Sequence, residues 1–151
     1  IQNNRKNKKE DGILVSQKVL LTWLIESEEI FHQIEKYITP EDFSEGLFRK
    51  VAELLYEQYE KHEANPAQIM NHFTDEEEHR EVAGLFHTKI KELTTVKEQE
   101  KALQETILRV KEHSIEEATK NLDPTDIQGL QRLMNEKRKM QDLRTLHISI
   151  N

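Results

Sequence analysis

Apolar residues recur at helical spacing over most of the chain. Val19, Leu20, Trp23 and Leu24 form one stripe, Ile30, Phe31, Ile34, Tyr37 and Ile38 a second, and Leu47, Phe48, Val51, Leu54, Leu55 and Tyr59 a longer third. Ile69, Met70 and Phe73 mark a short helix, and Val82, Leu85, Phe86, Ile90 and Leu93 a further one. Residues three and four apart share one side of a helix, so each stripe requires an apolar partner. Five such stripes predict a compact helical bundle over residues 13–95.

Punctuation between the stripes comes from capping residues. The prolines follow Thr39, Asn65 and Asp123, whose side chains accept from free N–H groups, and proline suits the first helical position because its own N–H is missing. Helix starts are therefore predicted at Pro40, Pro66 and Pro124. Ser16, Ser27, Ser44, Thr74 with Glu77, and Thr95 with Glu98 mark others, the last two at capping-box spacing.

Beyond Thr95 the texture changes, with no aromatic residue from Lys97 onward. Two long helices are predicted, separated by Asn121 to Pro124. The first carries Val96, Leu103, Ile107, Val110 and Ala118 and spans roughly 39 Å to Asn121; the second runs to about Leu146. A connection this short makes them an antiparallel hairpin over residues 96–151. The hinge falls at residues 93–96, where Thr94 and Thr95 lower helix propensity.

The second hairpin helix switches its apolar side. At about 100° per residue from Ile127, Leu130 and Met134 fall near 300° and 340°, whereas Met140, Leu143, Leu146 and Ile150 fall near 220°, 160°, 100° and 140°. One group packs on the first hairpin helix; the other requires a cover. A fold-back onto the bundle supplies one, and a docked protein supplies another.

Composition narrows the class. Apolar residues are 35% of 151 and charged ones 34%, with four glycines, three prolines and no cysteine. The apolar share is below the usual figure of about 45–50%, which suggests thin, elongated parts beside a modest core. So few turn residues disfavour an all-β fold, and the lack of cysteine excludes disulfides and cysteine-ligated zinc. No run approaches the roughly 18 apolar residues of a membrane span. Residues 1–12 (IQNNRKNKKEDG) read as a basic flexible linker cut from something longer, without the apolar core of a secretory signal, so a cytoplasmic fragment is expected.

Net charge is −7, with +2 in the linker and +3 from Gln131 onward, which leaves −12 for the rest. An acidic body is a poor surface for phosphates, so little nucleic-acid binding is expected. Arg132, Lys137, Arg138, Lys139 and Arg144 are spread around the last helix without interleaved aromatics, as a solvated face or as a rim that attracts an acidic partner. Catalytic chemistry is not apparent. None of the seven histidines has a second four residues away, Glu76 to Glu78 fit the positive end of a helix dipole, and no phosphate loop or nucleophile elbow occurs. The expectation is a non-enzymatic chain without metal or cofactor.

The stretch Leu20 to Glu60, LLTWLIESEEIFHQIEKYITPEDFSEGLFRKVAELLYEQYE, followed by a long hairpin, resembles the C-terminal helicase-binding domain of DnaG-type bacterial primases. Its order of a Leu-Leu helix, an Ile-rich helix, a Pro-Glu-Asp-Phe turn and a bulky apolar helix is also similar to the amino-terminal domain of DnaB-type replicative helicases. Helicase-type copies usually carry Gly then Asp after the long helix, where this chain has His62 to Pro66, and that favours the primase. The resemblance implies a protein-interaction module that docks on the amino-terminal domain of the hexameric helicase, recruits primase for RNA primer synthesis and modulates the helicase. The parent would be a DNA-directed RNA polymerase, a nucleotidyltransferase using zinc and magnesium, while this fragment would be a monomer at the bacterial replication fork. Ile127, Leu130, Met134, Met140, Leu143, Arg144, Leu146, Ile148 and Ile150 are the expected helicase contacts. The alternative is a self-associating collar domain of a helicase-like protein.

Overall fold

A computed structural model describes the backbone of residues 2–87 and 95–150, and the side chains of residues 12–86 and 95–150. Six α-helices are present among them: α1 (Gln2–Glu26), α2 (Glu28–Ile34), α3 (Leu47–Glu60), α4 (Glu76–His87), α5 (Val96–Lys120) and α6 (Ile127–Thr145). Short 3-10 turns occupy Pro40–Asp42 and Pro66–His72, and no strand occurs among the described residues. The fold is all-α, as the spacing of apolar residues predicts. No helix of the described residues is long and apolar enough to cross a membrane.

Several boundaries follow the capping chemistry directly. Ser27 accepts from the Ile30 N–H and opens α2, and Thr95 accepts from the Glu98 N–H and opens α5. Others shift by a few residues. Ser16 lies inside α1 with its hydroxyl on the Gly12 carbonyl, and Ser44 bonds to Gln17 instead of opening α3. Asp75, rather than Thr74, accepts from Glu78 at the start of α4. Pro40 and Pro66 begin 3-10 turns, and Pro124 lies in a turn that precedes α6, where Asp126 accepts from the Gly129 N–H. At the end of α3, His62 takes the left-handed φ of 57°, a position usually filled by glycine.

Residues 1–12 were expected as a flexible linker, but from Gln2 their backbone is continuous with α1. Their Lys, Arg, Gln and Glu residues are good helix formers, while Asn3, Asn4, Asn7, Asp11 and Gly12 are poorer ones. Further along, α1 is the centre of the bundle and touches α2, α3, α4 and α5. Leu20, Leu21, Thr22 and Leu24 are fully buried, so burial on this helix is wider than one stripe, with Val19 and Trp23 on its partly buried side. Its polar members are satisfied locally: the Thr22 hydroxyl donates to the Lys18 carbonyl at 2.9 Å, and the Gln17 amide pairs with Ser44 through both its nitrogen and its oxygen. Phe31 packs edge-on against Tyr56, whose hydroxyl donates to the Ile38 carbonyl at 2.8 Å, while the Tyr59 hydroxyl donates to the Leu24 carbonyl.

The division into a bundle over 13–95 and a separate hairpin over 96–151 does not hold for the core. α5 and α6 do pack as a hairpin, yet Leu103, Ile107, Val110, Leu143 and Ile148 belong to the same buried cluster as the α1–α4 residues. α5 faces α1 as well as α6. Ile90, Leu93 and Thr94, the last two being half of the expected hinge, lie outside the described residues.

Candidate functional site

The helical wheel of α6 has three sides. Gly129, Leu133, Glu136, Met140 and Leu143 fall within roughly 80° of one another, and these five face inward: the three large apolar residues are 6, 8 and 1% exposed. That face is continuous from one end of α6 to the other. Ile127, Leu130 and Met134 lie opposite, at 70, 46 and 58% exposed. Lys137 and Arg144, near 280° and 260° on the same wheel, are exposed at the border between this side and the packed face, and neither makes an ion pair among the described residues.

The expected helicase contacts therefore divide into two groups. Met140, Leu143 and Ile148 are buried, and Leu146 and Ile150 pack against the core, so these five are internal packing residues and not open docking positions. Arg144 remains exposed. The apparent switch of sides arises because the inward face holds a glycine and a glutamate in its first half. Reading only Ile127, Leu130 and Met134 there, and passing over Leu133, picks out the solvent side instead.

Glu136 faces inward because it meets Lys111, a fully buried lysine on α5. The Lys111 ammonium also donates to the Tyr37 carbonyl at 2.8 Å and to both Asp42 oxygens at 3.2 Å. Asp42, itself 5% exposed, accepts in addition from the Ser114 hydroxyl at 2.7 Å and the Thr39 N–H at 2.8 Å. Three donors on the ammonium thus meet three acceptor groups, which leaves none for a substrate. The cluster ties the Pro40–Asp42 turn, α5 and α6 together. Burial pushes the Glu136 carboxyl up, but the Lys111 hydrogen bond and charge, joined by Lys139, hold it below its ordinary value. Tyr56 is driven well above its ordinary value, mainly by burial and secondarily by the charges of Asp42 and Glu35.

Above the cluster a cleft of about 1050 Å³ separates the third side of α6 from the Thr39–Glu45 segment, with Arg132, Asn135, Arg138 and Asp142 along one wall. His113 of α5 also lines the cleft, and its Nδ1 is buried without a partner among the described residues. No group of three or more metal-ligating side chains stands together among the described residues. The sequence reading missed Lys111, although a signal was present: it lies four residues after Ile107 and eight after Leu103, on the buried stripe. Asp42 was visible only as part of a turn. In comparisons with known proteins, no protein-family model, curated protein or solved structure matches the chain.

Proposed function

We propose that the chain is the protein-interaction domain of a DnaG-type bacterial primase, and that it holds the hexameric replicative helicase through the outward side of α6. The observation that carries this reading is the exposed group Ile127, Leu130 and Met134 on a helix whose opposite face is fully packed. A helix in this state presents i, i+3 and i+7 anchors to a groove. Fully burying such side chains contributes about 1.5–3 kcal/mol each before the cost of association. Lys137 and Arg144 beside them favour an acidic rim on the partner and a faster encounter. The order of elements before the hairpin adds the resemblance to primases. On this reading the chain recruits primase to the fork in the bacterial cytoplasm and tunes the helicase, while the polymerase chemistry and its zinc and magnesium belong to other parts of the parent.

The test is calorimetry against the amino-terminal domain of a bacterial replicative helicase, with wild-type chain and the Leu130→Asp, Met134→Asp double variant. The wild type is expected to bind and the variant to lose binding while its helical circular dichroism is kept. Unchanged binding by the folded variant overturns the assignment. Light scattering of the chain alone addresses self-association: an oligomer that the same substitutions dissolve would make this face a homotypic contact.

A further inference from the structure

After Thr145 the chain leaves the helix, with Leu146 at φ −73° and ψ 128°, and becomes extended. Its side chains then alternate. Leu146, Ile148 and Ile150 turn toward the core, with Ile148 only 2% exposed, while of the intervening residues the His147 side chain is 80% exposed and Ser149 is partly buried. This is the period of a strand with one buried face, in a chain otherwise built of helices.

Side chains of two helices hold the backbone of this segment. Gln33 of α2 acts at both ends of its amide: its Oε1 accepts from the Ser149 N–H, and its Nε2 donates to the Ser149 carbonyl, each at 2.8 Å. Glu100 of α5 accepts from the Ile150 N–H at 2.9 Å. One turn later, Gln104 reaches the carbonyls of Leu143, Arg144 and Leu146, each at 3.2 Å. An amide offering one donor and one acceptor pairs with a residue's backbone as a neighbouring strand does, whatever that residue's side chain. Sequence preference then comes from the apolar positions at alternate residues.

We propose that the groove between α2 and α5 is a recognition site for an extended segment with aliphatic residues at alternate positions, occupied in cis by residues 146–150 and opened to such a segment of a partner protein when these residues release. The occupant's chemistry is read from the one now seated there: an aliphatic-x-aliphatic-x-aliphatic run whose middle backbone pairs with Gln33. Release must lift Ile148 out of the core as well as break these edge bonds, but it need not unfold a helix, because the segment has no helix or ladder of its own. A short tether gives the cis segment an effective concentration on the order of millimolar, so a trans segment competes only when the tail is weakened or the partner is anchored elsewhere. The site is independent of any contact made by the outward side of α6.

The probe is a fluorescein-labelled peptide of sequence TLHISIN, followed by anisotropy. Saturable binding is expected to the full chain carrying Ile148→Ser and Ile150→Ser, and roughly tenfold weaker binding both to the wild type and to that variant with Gln33→Ala added. A scrambled peptide with its aliphatic residues adjacent should not bind. Failure of the folded tail variant to bind, or equal binding of the scrambled peptide, overturns the proposal. Amide exchange in the wild type provides a second measure that needs no variant. The Ser149 and Ile150 amides should exchange about 100-fold faster than the core amides of α5, and exchange only at the rate of global unfolding overturns the proposal as well.

Discussion

Lys111 is the residue on which most of the polar interior depends. An ammonium with no exposure survives beside Leu103, Ile107 and Val110 because two carboxylates and a carbonyl surround it. Removing one partner of a buried pair usually costs about 3–5 kcal/mol, because the other charge is left without compensation. Lys111→Met is expected to lose stability on that scale in denaturant titrations at pH 7, with Asp42→Asn added in the same chain recovering part of it. The pH dependence carries a second signature. Glu136 titrates below its ordinary 4.5 in the folded chain, so its contribution is fully present above that value and is lost as pH falls through the lowered folded value. The acid side of the stability profile should therefore flatten in Lys111→Met. An unchanged acid limb would mean that Lys139 alone sets the Glu136 titration.

At the scale of elements, legibility in the sequence depends on whether one residue type carried the information. Ser27 and Thr95 are caps whose partners lie three residues ahead, and the structure places both where the sequence does. The inward face of α6 was illegible because Gly129 and Glu136 occupy it for reasons of neighbours, not hydrophobicity. A Cβ on Gly129 would come within 2.5 Å of an Asp126 oxygen and 2.9 Å of a Leu122 methyl, and Glu136 is matched to a lysine 25 residues earlier. Neither constraint has a local sequence signature. The wider burial of α1 was hidden in the same way, since Thr22 and Gln17 are buried with partners that no stripe reveals. The two sides of α6 make opposite forecasts for one substitution. Leu143→Asp places an unpaired carboxylate in the core and should cost several kcal/mol, on the order of 3 or more, whereas Met134→Asp should stay within about 0.5 kcal/mol. Thermal melts by circular dichroism separate the two, and equal effects would contradict the assignment of faces.

For the whole molecule, the question is whether bundle and hairpin are one cooperative unit. Dividing the chain at residue 95 placed the aromatic residues in one half and left the hairpin poor in apolar side chains. The structure resolves that deficit internally: α5 supplies Leu103, Ile107 and Val110 to the core around α1, and the segment after α6 returns Ile148 to it. Gln33 on α2 and Asp42 in the Pro40–Asp42 turn bind residues more than 65 positions away, so polar contacts tie the two halves as well. A core shared in this way leaves no interface along which the hairpin detaches with its own surface intact, and domains of this size commonly unfold in one step. Trp23, the single tryptophan, lies on α1, while α5 and α6 make up a large part of the helical signal. Fluorescence therefore reports the bundle and far-ultraviolet circular dichroism reports both halves. The two are expected to give coincident urea transitions with one midpoint; a hairpin that melts first would separate them, with helical signal lost before Trp23 changes its environment.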